Sequence, residues 1–357
     1  MKLSHIAAAA ALLAASGALA QQPPPSSNFP RGVPPTAAGI RDVSVDADGT
    51  LHYGPRTVPP NMWVSPEIRA TAARIANDTV AALKAAPQDA ESQRKALSDH
   101  TSERLAYHAQ IAMQTYPDVQ RSESKIAGVP VVEWTPKTIP ARNARRIAME
   151  FEIDAEGVEL AGIGHMKVLS VHYANGGPTN NSADDIIKVY RELLKTHKAG
   201  QIAMYGESGG CQLASTVTVQ LHQMGLPMPG VLGLITCAGG DGDSRLLNNG
   251  ADPVLSAFVQ PEQAAPPSGI SDASPRKRIL DLDIPKGFPP SYMIAGVRDM
   301  ALSGMARLQR KLRHAGVDCD LNIFDGGWHG FTEVATLPEA KDALSEMWRF
   351  FDRHLGT

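Results

Sequence analysis

The sequence lacks the features of two broad classes of protein. Its 34 lysine and arginine residues do not outnumber its 37 aspartate and glutamate residues, and a net charge of −3 provides no basic surface for nucleic acid. No apolar run approaches the roughly 18 residues that a membrane-spanning helix needs. We therefore expect neither a nucleic-acid partner nor a membrane span. The 43% of hydrophobic residues predicts a globular protein with a substantial core.

Cysteine is scarce as well. Cys211, Cys237 and Cys319 can form at most one disulfide, and their spacings match no zinc-binding pattern. Each lies in or beside an apolar helix or strand pattern, so we interpret all three as small buried hydrophobic residues. No metal or organic cofactor is expected.

The N-terminus has the pattern of a secretory signal. Lys2 supplies a positive charge, residues 6–15 form a short apolar stretch, and Ala18-Leu19-Ala20 is a cleavage site. No cysteine follows the apolar stretch, so lipid attachment is not indicated; a buried N-terminal helix is the alternative interpretation. We predict a signal peptide over residues 1–20, cleaved after Ala20, and a secreted or periplasmic protein.

The rest of the chain divides into three parts. Residues 21–60 form a proline-rich leader, and residues 61–118 carry two helical patterns, the first of which starts where Ser65 can cap and Pro66 can take the first helical position.

From 119 to 357, strand patterns alternate with helical ones, which predicts an α/β fold with a mostly parallel sheet and helices on both faces. Strands are predicted at about 129–134, 147–151, 168–172, 202–205, 231–236, 292–295 and 321–324, with helices at about 183–196, 209–224 and 303–315 and at the C-terminus. The irregular segment 241–283 is long enough to carry function or a lid.

The most informative motif is Gly206-Glu207-Ser208-Gly209-Gly210. It follows an apolar strand pattern at 201–205 and precedes the helical pattern. A G-x-S-x-G between a buried strand and a helix is the nucleophile elbow, a sharp turn that exposes the serine hydroxyl at the edge of a sheet. Ser208 is therefore the candidate nucleophile, and the N–H of Gly209 is the candidate donor to an oxyanion.

A serine nucleophile needs a base, and the base needs an orienting carboxylate. In sheets of this kind both follow later strands, in the order serine, acid, histidine. Asp299 follows the strand pattern that ends at Ala295, and His329 follows the one that ends at Phe324. The sequence thus predicts a triad of Ser208, His329 and Asp299.

Each candidate also has a structural alternative. Ser208 can be an ordinary helix cap, and His329 can be a structural loop residue. Asp299 can cap the next helix, although Ser303 would serve better there. Asp325 is a competing acid, but it lies only four residues before His329 on the same loop.

With these residues the chain resembles the α/β-hydrolase fold and, within it, the esterases of the hormone-sensitive-lipase-like family, over roughly residues 127–355. The matching motifs are Tyr205-Gly206-Glu207-Ser208-Gly209-Gly210, Lys286-Gly287-Phe288-Pro289-Pro290, Gly296-Val297-Arg298-Asp299-Met300-Ala301-Leu302-Ser303-Gly304 and Trp328-His329-Gly330-Phe331. The resemblance implies that Ser208 is the nucleophile, Asp299 the triad acid and His329 the base. It also implies that residues 61–118 are a cap that shapes the substrate pocket.

Two stretches depart from the family. Its H-G-G-G block, whose N–H groups help to form the oxyanion hole, is replaced by residues 146–154, which contain no glycine and are about seven residues too few. Its Y-R-x-A-P-E segment is replaced by residues 173–178. There Asn175-Gly176-Gly177 superficially resembles an oxyanion loop, but it lies about thirty residues before Ser208, and we interpret it as a turn. The second oxyanion donor is not identified.

The resulting hypothesis is a secreted carboxylesterase that cleaves small to medium acyl esters through an acyl-enzyme. An amide or peptide hydrolase with the same triad is one alternative. A hydrolase-derived binding protein with little turnover, kept open by the missing glycine block, is another. The sequence leaves the oligomeric state open, with a homodimer as one option, and does not indicate the natural substrate, acyl chain length or stereochemical preference.

Overall fold

The computed structural model describes residues 43–45, 47, 51–53, 63–87, 89–151, 153–173, 182–237, 252–254 and 278–356. The chain divides into two compact units, Met1–Pro59 and Pro60–Thr357. In the first unit, β1 (Val43–Val45) and β2 (Leu51–Tyr53) pair antiparallel, within the predicted leader. The predicted signal peptide lies outside the described residues.

The second unit is built on one eight-stranded sheet. Its strand order is β10-β9-β8-β7-β5-β6-β4-β3. The strands are β3 (Val119–Ile126), β4 (Val129–Pro136), β5 (Ile147–Glu150), β6 (Lys167–Val171), β7 (Ile202–Glu207), β8 (Val231–Ile235), β9 (Ser291–Gly296) and β10 (Cys319–Phe324). Only the pairings that involve β4 are antiparallel, and the pairs from β6 through β10 are parallel. The mostly parallel sheet predicted from the alternating pattern is confirmed.

Helices cover both faces of this sheet. They are α1 (Pro66–Ala85), α2 (Ala90–Thr115), α3 (Asp154–Gly164), α4 (Ser182–Leu193), α5 (Gly209–Gln223), α6 (Leu302–His314) and α7 (Pro338–His354). One apolar cluster joins the sheet to α4, α5 and α6, and a second joins it to α1, α2, α3 and α7. None of the helices in the described ranges combines the length and apolar character needed to cross a bilayer.

The first helix begins where its capping residues predict. The Ser65 hydroxyl accepts a hydrogen bond from the N–H of Ile68 at 3.1 Å, and Pro66 opens the helix. The N–H and hydroxyl of Ser65 also both donate to the carboxylate of Glu339, each at 2.9 Å. Glu339 lies in the first turn of α7, so a single residue both caps α1 and connects it to the C-terminal helix.

Among the strands and helices of the second unit, β3 and α3 were not predicted. Strand β3 has the sequence VQRSESKI, lies at one edge of the sheet, and exposes its six central residues. Helix α3 was missed because it includes glycines and buried acidic residues, which disguise its apolar character. Gly157 is required there, since a Cβ at this position would lie 2.7 Å from Nε1 of Trp134.

The cysteine interpretation was wrong for two of the three residues. All three are buried, but Cys211 and Cys237 form a disulfide. Cys211 lies in the first turn of α5, and Cys237 lies just beyond β8, the strand next to β7, so their Cα atoms are only 5.3 Å apart. Cys319 is a free, buried thiol. The pairing depends on which strands are neighbours, and that information is not local in the sequence.

Candidate active site

Strand β7 delivers Ser208 to the carboxyl edge of the sheet. All six residues of the strand are buried, whereas Ser208 is exposed and has a φ of +51°, a conformation that is strained for a residue with a side chain. The Ser208 hydroxyl makes no capping hydrogen bond to α5. The alternative that Ser208 is an ordinary helix cap is therefore not supported.

Two glycines make this sharp turn possible. A Cβ at Gly206 would lie 2.7 Å from the carbonyl carbon of Gly210, and a Cβ at Gly210 would lie 2.6 Å from the carbonyl oxygen of Phe151. Distances this short exclude any side chain. The spacing of glycines around Ser208 thus reflects the close approach of the strand, the helix and the end of β5.

Asp299 and His329 meet at the same edge of the sheet. Asp299 follows β9 and His329 follows β10, and Nδ1 of His329 lies 3.1 Å from Oδ1 of Asp299. Both side chains are buried. Because Nδ1–H donates to the carboxylate, the proton-accepting nitrogen of the neutral ring is Nε2, which has no hydrogen-bond partner within the described part of the chain.

The two loops pack directly against each other. A Cβ at Gly296 would lie 2.1 Å from the carbonyl oxygen of Gly327, so only glycine fits at the end of β9. The N–H of Arg298 donates to that carbonyl at 2.9 Å, and the N–H of Val297 donates to the carbonyl of Phe324 at 3.0 Å. These contacts fix the backbone on which the acid and the histidine are carried.

Asp299 and Asp325, the two candidate acids, differ in what their carboxylates contact. Asp299 also accepts a hydrogen bond from the N–H of Ala301 at 2.8 Å, so its carboxylate does bind near the start of α6 while it holds His329. Asp325 is exposed, and its carboxylate accepts a hydrogen bond from the N–H of its own neighbour Gly326. Asp299, not Asp325, is the acid that contacts the imidazole.

The environment favours a charged imidazole. Burial alone lowers the pKa of His329, but the negative charge and the hydrogen bond of Asp299 outweigh it, and the pKa rises to about 9. Glu207 and Asp252 act in the same direction. An imidazolium that forms during a reaction would be stabilised at this position.

Several buried carboxyl groups surround the turn after His329, and the sequence reasoning missed them. A Cβ at Gly330 would lie 2.5 Å from Oε1 of Glu333 and 2.9 Å from Oε1 of Glu207. The hydroxyl of Thr332 donates to Oε2 of Glu207 at 3.1 Å. Glu156 is also fully buried next to this group. The only sequence signal for this cluster was the presence of acidic residues inside otherwise apolar patterns.

One of these carboxyl groups is compensated by positive charge. Burial raises the pKa of Glu333, but Arg104 and His108, both on α2, outweigh burial and lower it. Burial and the neighbouring Glu333 and Glu156 raise the pKa of Glu207 well above its usual value, and burial raises the pKa of Glu156 to about 8. Glu333 is therefore the ionised member, and Glu207 and Glu156 hold protons near neutral pH.

The stretch that begins with Phe151, directly after β5, lies beside the start of α5. The backbone of Phe151 touches Gly210, so this stretch adjoins Ser208. The N–H of Ile153 donates to Oε1 of Glu150 at 2.5 Å, and is thereby already bonded. The N–H of Gly209 lies at the first position of α5, where helix N–H groups have no partner within the helix. Residues 174–181, including the Asn175-Gly176-Gly177 turn, lie outside the described residues.

The sequence model of a family described as having the alpha/beta hydrolase fold matches residues 150–333, more than half of the chain. The chain belongs to this family. The matched region begins at the end of β5 and contains Ser208, Asp299 and His329. No group of three or more His, Cys, Asp or Glu side chains in the described ranges is arranged to hold a metal ion.

Known proteins similar to this alpha/beta hydrolase include esterases. An esterase of Acinetobacter venetianus is 30% identical over 208 residues, which are 54% of this chain and 66% of that protein. The crystal structure of an esterase E25 superposes with a TM-score of 0.73 at 28% identity, over 85% of this chain and 99% of that one. An esterase from the bacterial hormone-sensitive lipase family shares the fold, with a TM-score of 0.65 at 22% identity, over 83% of this chain and all of that one (100%).

Proposed function

We propose that this alpha/beta hydrolase is a secreted serine carboxylesterase that acts on small to medium acyl esters. The observation that carries the proposal is the hydrogen bond between His329 and Asp299, formed at the sheet edge where the exposed, strained Ser208 also lies. The similarity to esterases supports the class of substrate.

In the proposed acylation step, Nε2 of His329 takes the proton of the Ser208 hydroxyl as Oγ attacks the ester carbonyl carbon. The negative charge that develops on the carbonyl oxygen is stabilised by the N–H of Gly209. The tetrahedral intermediate then collapses, the bond to the alcohol oxygen breaks, and the imidazolium gives its proton to that oxygen. Asp299 holds the ring in the tautomer that keeps Nε2 free to accept and return the proton.

Deacylation repeats these steps with water. His329 takes a proton from the water as its oxygen attacks the acyl-enzyme, and returns a proton to Oγ of Ser208 as the carboxylic acid leaves. No cofactor enters either step.

Helices α1 and α2 are proposed to belong to a cap over residues 61–118 that shapes the substrate pocket. The supporting contact is made by Arg104 of α2, which donates to Glu333 four residues after His329. Such a contact connects the helices to the turn that follows the base.

A binding protein with little turnover is the second candidate. The hydrogen bond from Ile153 to Glu150 favours it, because this N–H is already used and the Gly209 N–H is the one oxyanion donor that we can name. Loss of one donor costs about 10²–10³ in turnover, which slows a hydrolase without abolishing its chemistry.

The test is hydrolysis of p-nitrophenyl butyrate by the purified protein and by Ser208→Ala. We expect turnover by the parent and none by the variant. Comparing this ester with the matching anilide separates an esterase from an amide hydrolase. Absence of ester hydrolysis by well-folded parent protein would favour the binding protein. Appearance of the mature protein, starting after Ala20, outside the cytoplasm tests export.

A further inference from the structure

One buried carboxylate outside the predicted triad lies between the two loops of the site. Asp252 belongs to the long segment between β8 and β9 and is fully buried. Its Oδ2 accepts hydrogen bonds from the N–H of Met300 at 3.3 Å and from the N–H of His329 at 3.4 Å. Its Oδ1 accepts a hydrogen bond from the N–H of Val254 at 3.0 Å.

The N–H donors to Oδ2 of Asp252 belong to the loops that carry the predicted acid and base. Met300 follows Asp299 directly in the chain, and His329 is the base itself. A single oxygen of Asp252 therefore joins the acid loop and the base loop at the residues that carry the reacting groups. The bonds from Val297 and Arg298 join the same loops closer to the ends of β9 and β10. Asp252 holds the same loops further along, at Met300 and at His329 itself.

Residues 252–254 are anchored by packing. Val254 packs against the apolar cluster that contains Trp328 and Phe331, the neighbours of His329. Pro253 has a fixed φ, which restricts the backbone directly after Asp252. A buried carboxylate that accepts several N–H groups is a suitable clamp, because hydrogen bonds to a charged acceptor are stronger than those to a neutral one.

Asp252 also contributes charge. The acidic side chains that act on the His329 ring are Asp299 from the loop after β9, Glu207 from the end of β7 and Asp252 from the segment after β8; Glu333 lies near Glu207. Asp299 and Asp252 both raise the pKa of His329, whereas burial and its acidic neighbours raise the pKa of Glu207 well above its usual value.

We propose that Asp252 is a positioning residue for the hydrolytic reaction. Its carboxylate holds the loops of Asp299 and His329 in register and stabilises the imidazolium that forms when Ser208 attacks. This inference rests on the proposed function.

The test compares Asp252→Asn and Asp252→Ala with the parent on p-nitrophenyl butyrate, counting active sites with a fluorophosphonate so that only folded enzyme is scored. Asp252→Ala is expected to lower kcat about 10- to 100-fold with KM changed less than about threefold, because misplacement of a catalytic group by about 1 Å costs this much. Asp252→Asn keeps one acceptor oxygen and is expected to lose less.

The pH profile separates positioning and charge from a merely structural role. Both variants lose a negative charge that acts on His329, so the acidic limb of kcat/KM should move to lower pH by about one unit. The matched control is Asp325→Asn. Asp325 also accepts a backbone N–H, in the same loop as His329, but it is exposed and bonds only to its own neighbour among the contacts described.

The inference would be overturned if both Asp252 variants kept the kcat and the acidic limb of the parent, provided that Ser208→Ala is inactive and Asp299→Asn loses kcat about 10⁴-fold. A loss of stability in the Asp252 variants, with kcat per active site and the pH limb unchanged, would also overturn it. Full activity of Ser208→Ala would instead refute the proposed function.

Discussion

Arg104 of α2 donates a hydrogen bond to the carboxylate of Glu333, in the turn that follows His329. The two side chains are only 9% and 3% exposed. Nδ1 of His108, one helical turn further along α2, lies 3.3 Å from the same carboxylate oxygen. One helix thus supplies both side chains that lower the pKa of Glu333.

The first prediction is that removal of the Arg104 guanidinium destabilises the folded protein. We expect Arg104→Met to lower the free energy of unfolding by about 3–5 kcal/mol, because it leaves Glu333 as a buried charge without its main partner. Urea denaturation at neutral pH measures this. The matched control is Arg74→Met on α1, whose ion pair with Asp78 is half exposed and should contribute about 0–1 kcal/mol.

The pH dependence of this loss has a defined sign. The pKa of Glu333 is lowered in the folded protein, so its stabilisation is present above its unfolded pKa, near 4.5, and is lost as the pH falls through the folded pKa. The difference between the parent and Arg104→Met should therefore shrink in acid. A difference that is equal at neutral and acidic pH would show that the pair is not responsible.

Labelling of the nucleophile is the second prediction. A fluorophosphonate should react with Ser208 alone, forming a phosphorus–oxygen bond as fluoride leaves, because only an activated hydroxyl reacts quickly. His329→Ala should abolish the reaction, since Oγ then has no base. Peptide mapping locates the label. A label on another serine, or an undiminished rate in His329→Ala, would refute the triad.

The third prediction concerns the two candidate acids. Asp299→Asn should lower kcat about 10⁴-fold while the fold stays intact, because the imidazole loses its orienting anion. Asp325→Asn should change kcat little, since its carboxylate is exposed and bonds to Gly326. Steady-state kinetics with circular dichroism as the folding control provide the measurement. The opposite ranking would identify Asp325 as the acid.

The fourth prediction follows from the pKa of His329, which is raised to about 9. Only the neutral ring can accept the proton of Ser208, so kcat/KM should rise with pH and approach its plateau above about 9. The measurement is the rate on p-nitrophenyl butyrate from about pH 6 to about pH 10, at a wavelength where the two forms of nitrophenol absorb equally. A limb centred near 6.5 would mean that the anions around the ring do not act on it.

The fifth prediction concerns the range of substrates. With Gly209 as the one named oxyanion donor, nitrophenyl acetate and butyrate should be hydrolysed at measurable but modest rates, and triglycerides and anilides poorly. Unactivated substrates need the most stabilisation of the intermediate. Equal turnover of alkyl and nitrophenyl esters, with deacylation shown not to limit the latter, would reveal a second donor, and the backbone near Phe151 or Gly176 is the first place to look.

The sheet could be predicted because each of its inner strands is a short apolar run between turn residues. The predicted ends of β5 and β8 are within one residue of the observed ones. Ser208, Asp299 and His329 could be predicted as candidates because each follows such a run, and parallel strands bring their carboxyl ends to one edge. Strand β3 could not be predicted, since its exposed residues form no apolar pattern.

The remaining parts of the site depend on contacts that are distant in sequence. Asp252 lies 77 residues before His329, in a segment without a regular pattern, and no local signal marks it as a partner of that residue. Arg104 and Glu333 are separated by 229 residues. Charged side chains on a helix usually lie on a solvated face. Whether such a side chain is buried depends on the tertiary packing of the helix, which its local sequence does not show.

The disulfide between Cys211 and Cys237 links the first turn of α5 to the residues just after β8 by a bond that forms only under oxidising conditions. It closes a loop of 26 residues, and a link of this length stabilises the folded state by about 3.5 kcal/mol if its effect is entropic. Such bonds persist in oxidising compartments and are kept reduced in the cytosol. Protein retained in the cytosol would therefore fold without this covalent link. The start of α5 would then be held to β8 by non-covalent contacts, such as the hydrogen bond from the N–H of Ser208 to the carbonyl of Ile235 at 3.0 Å. Export would then supply the oxidising step that completes the support of Ser208.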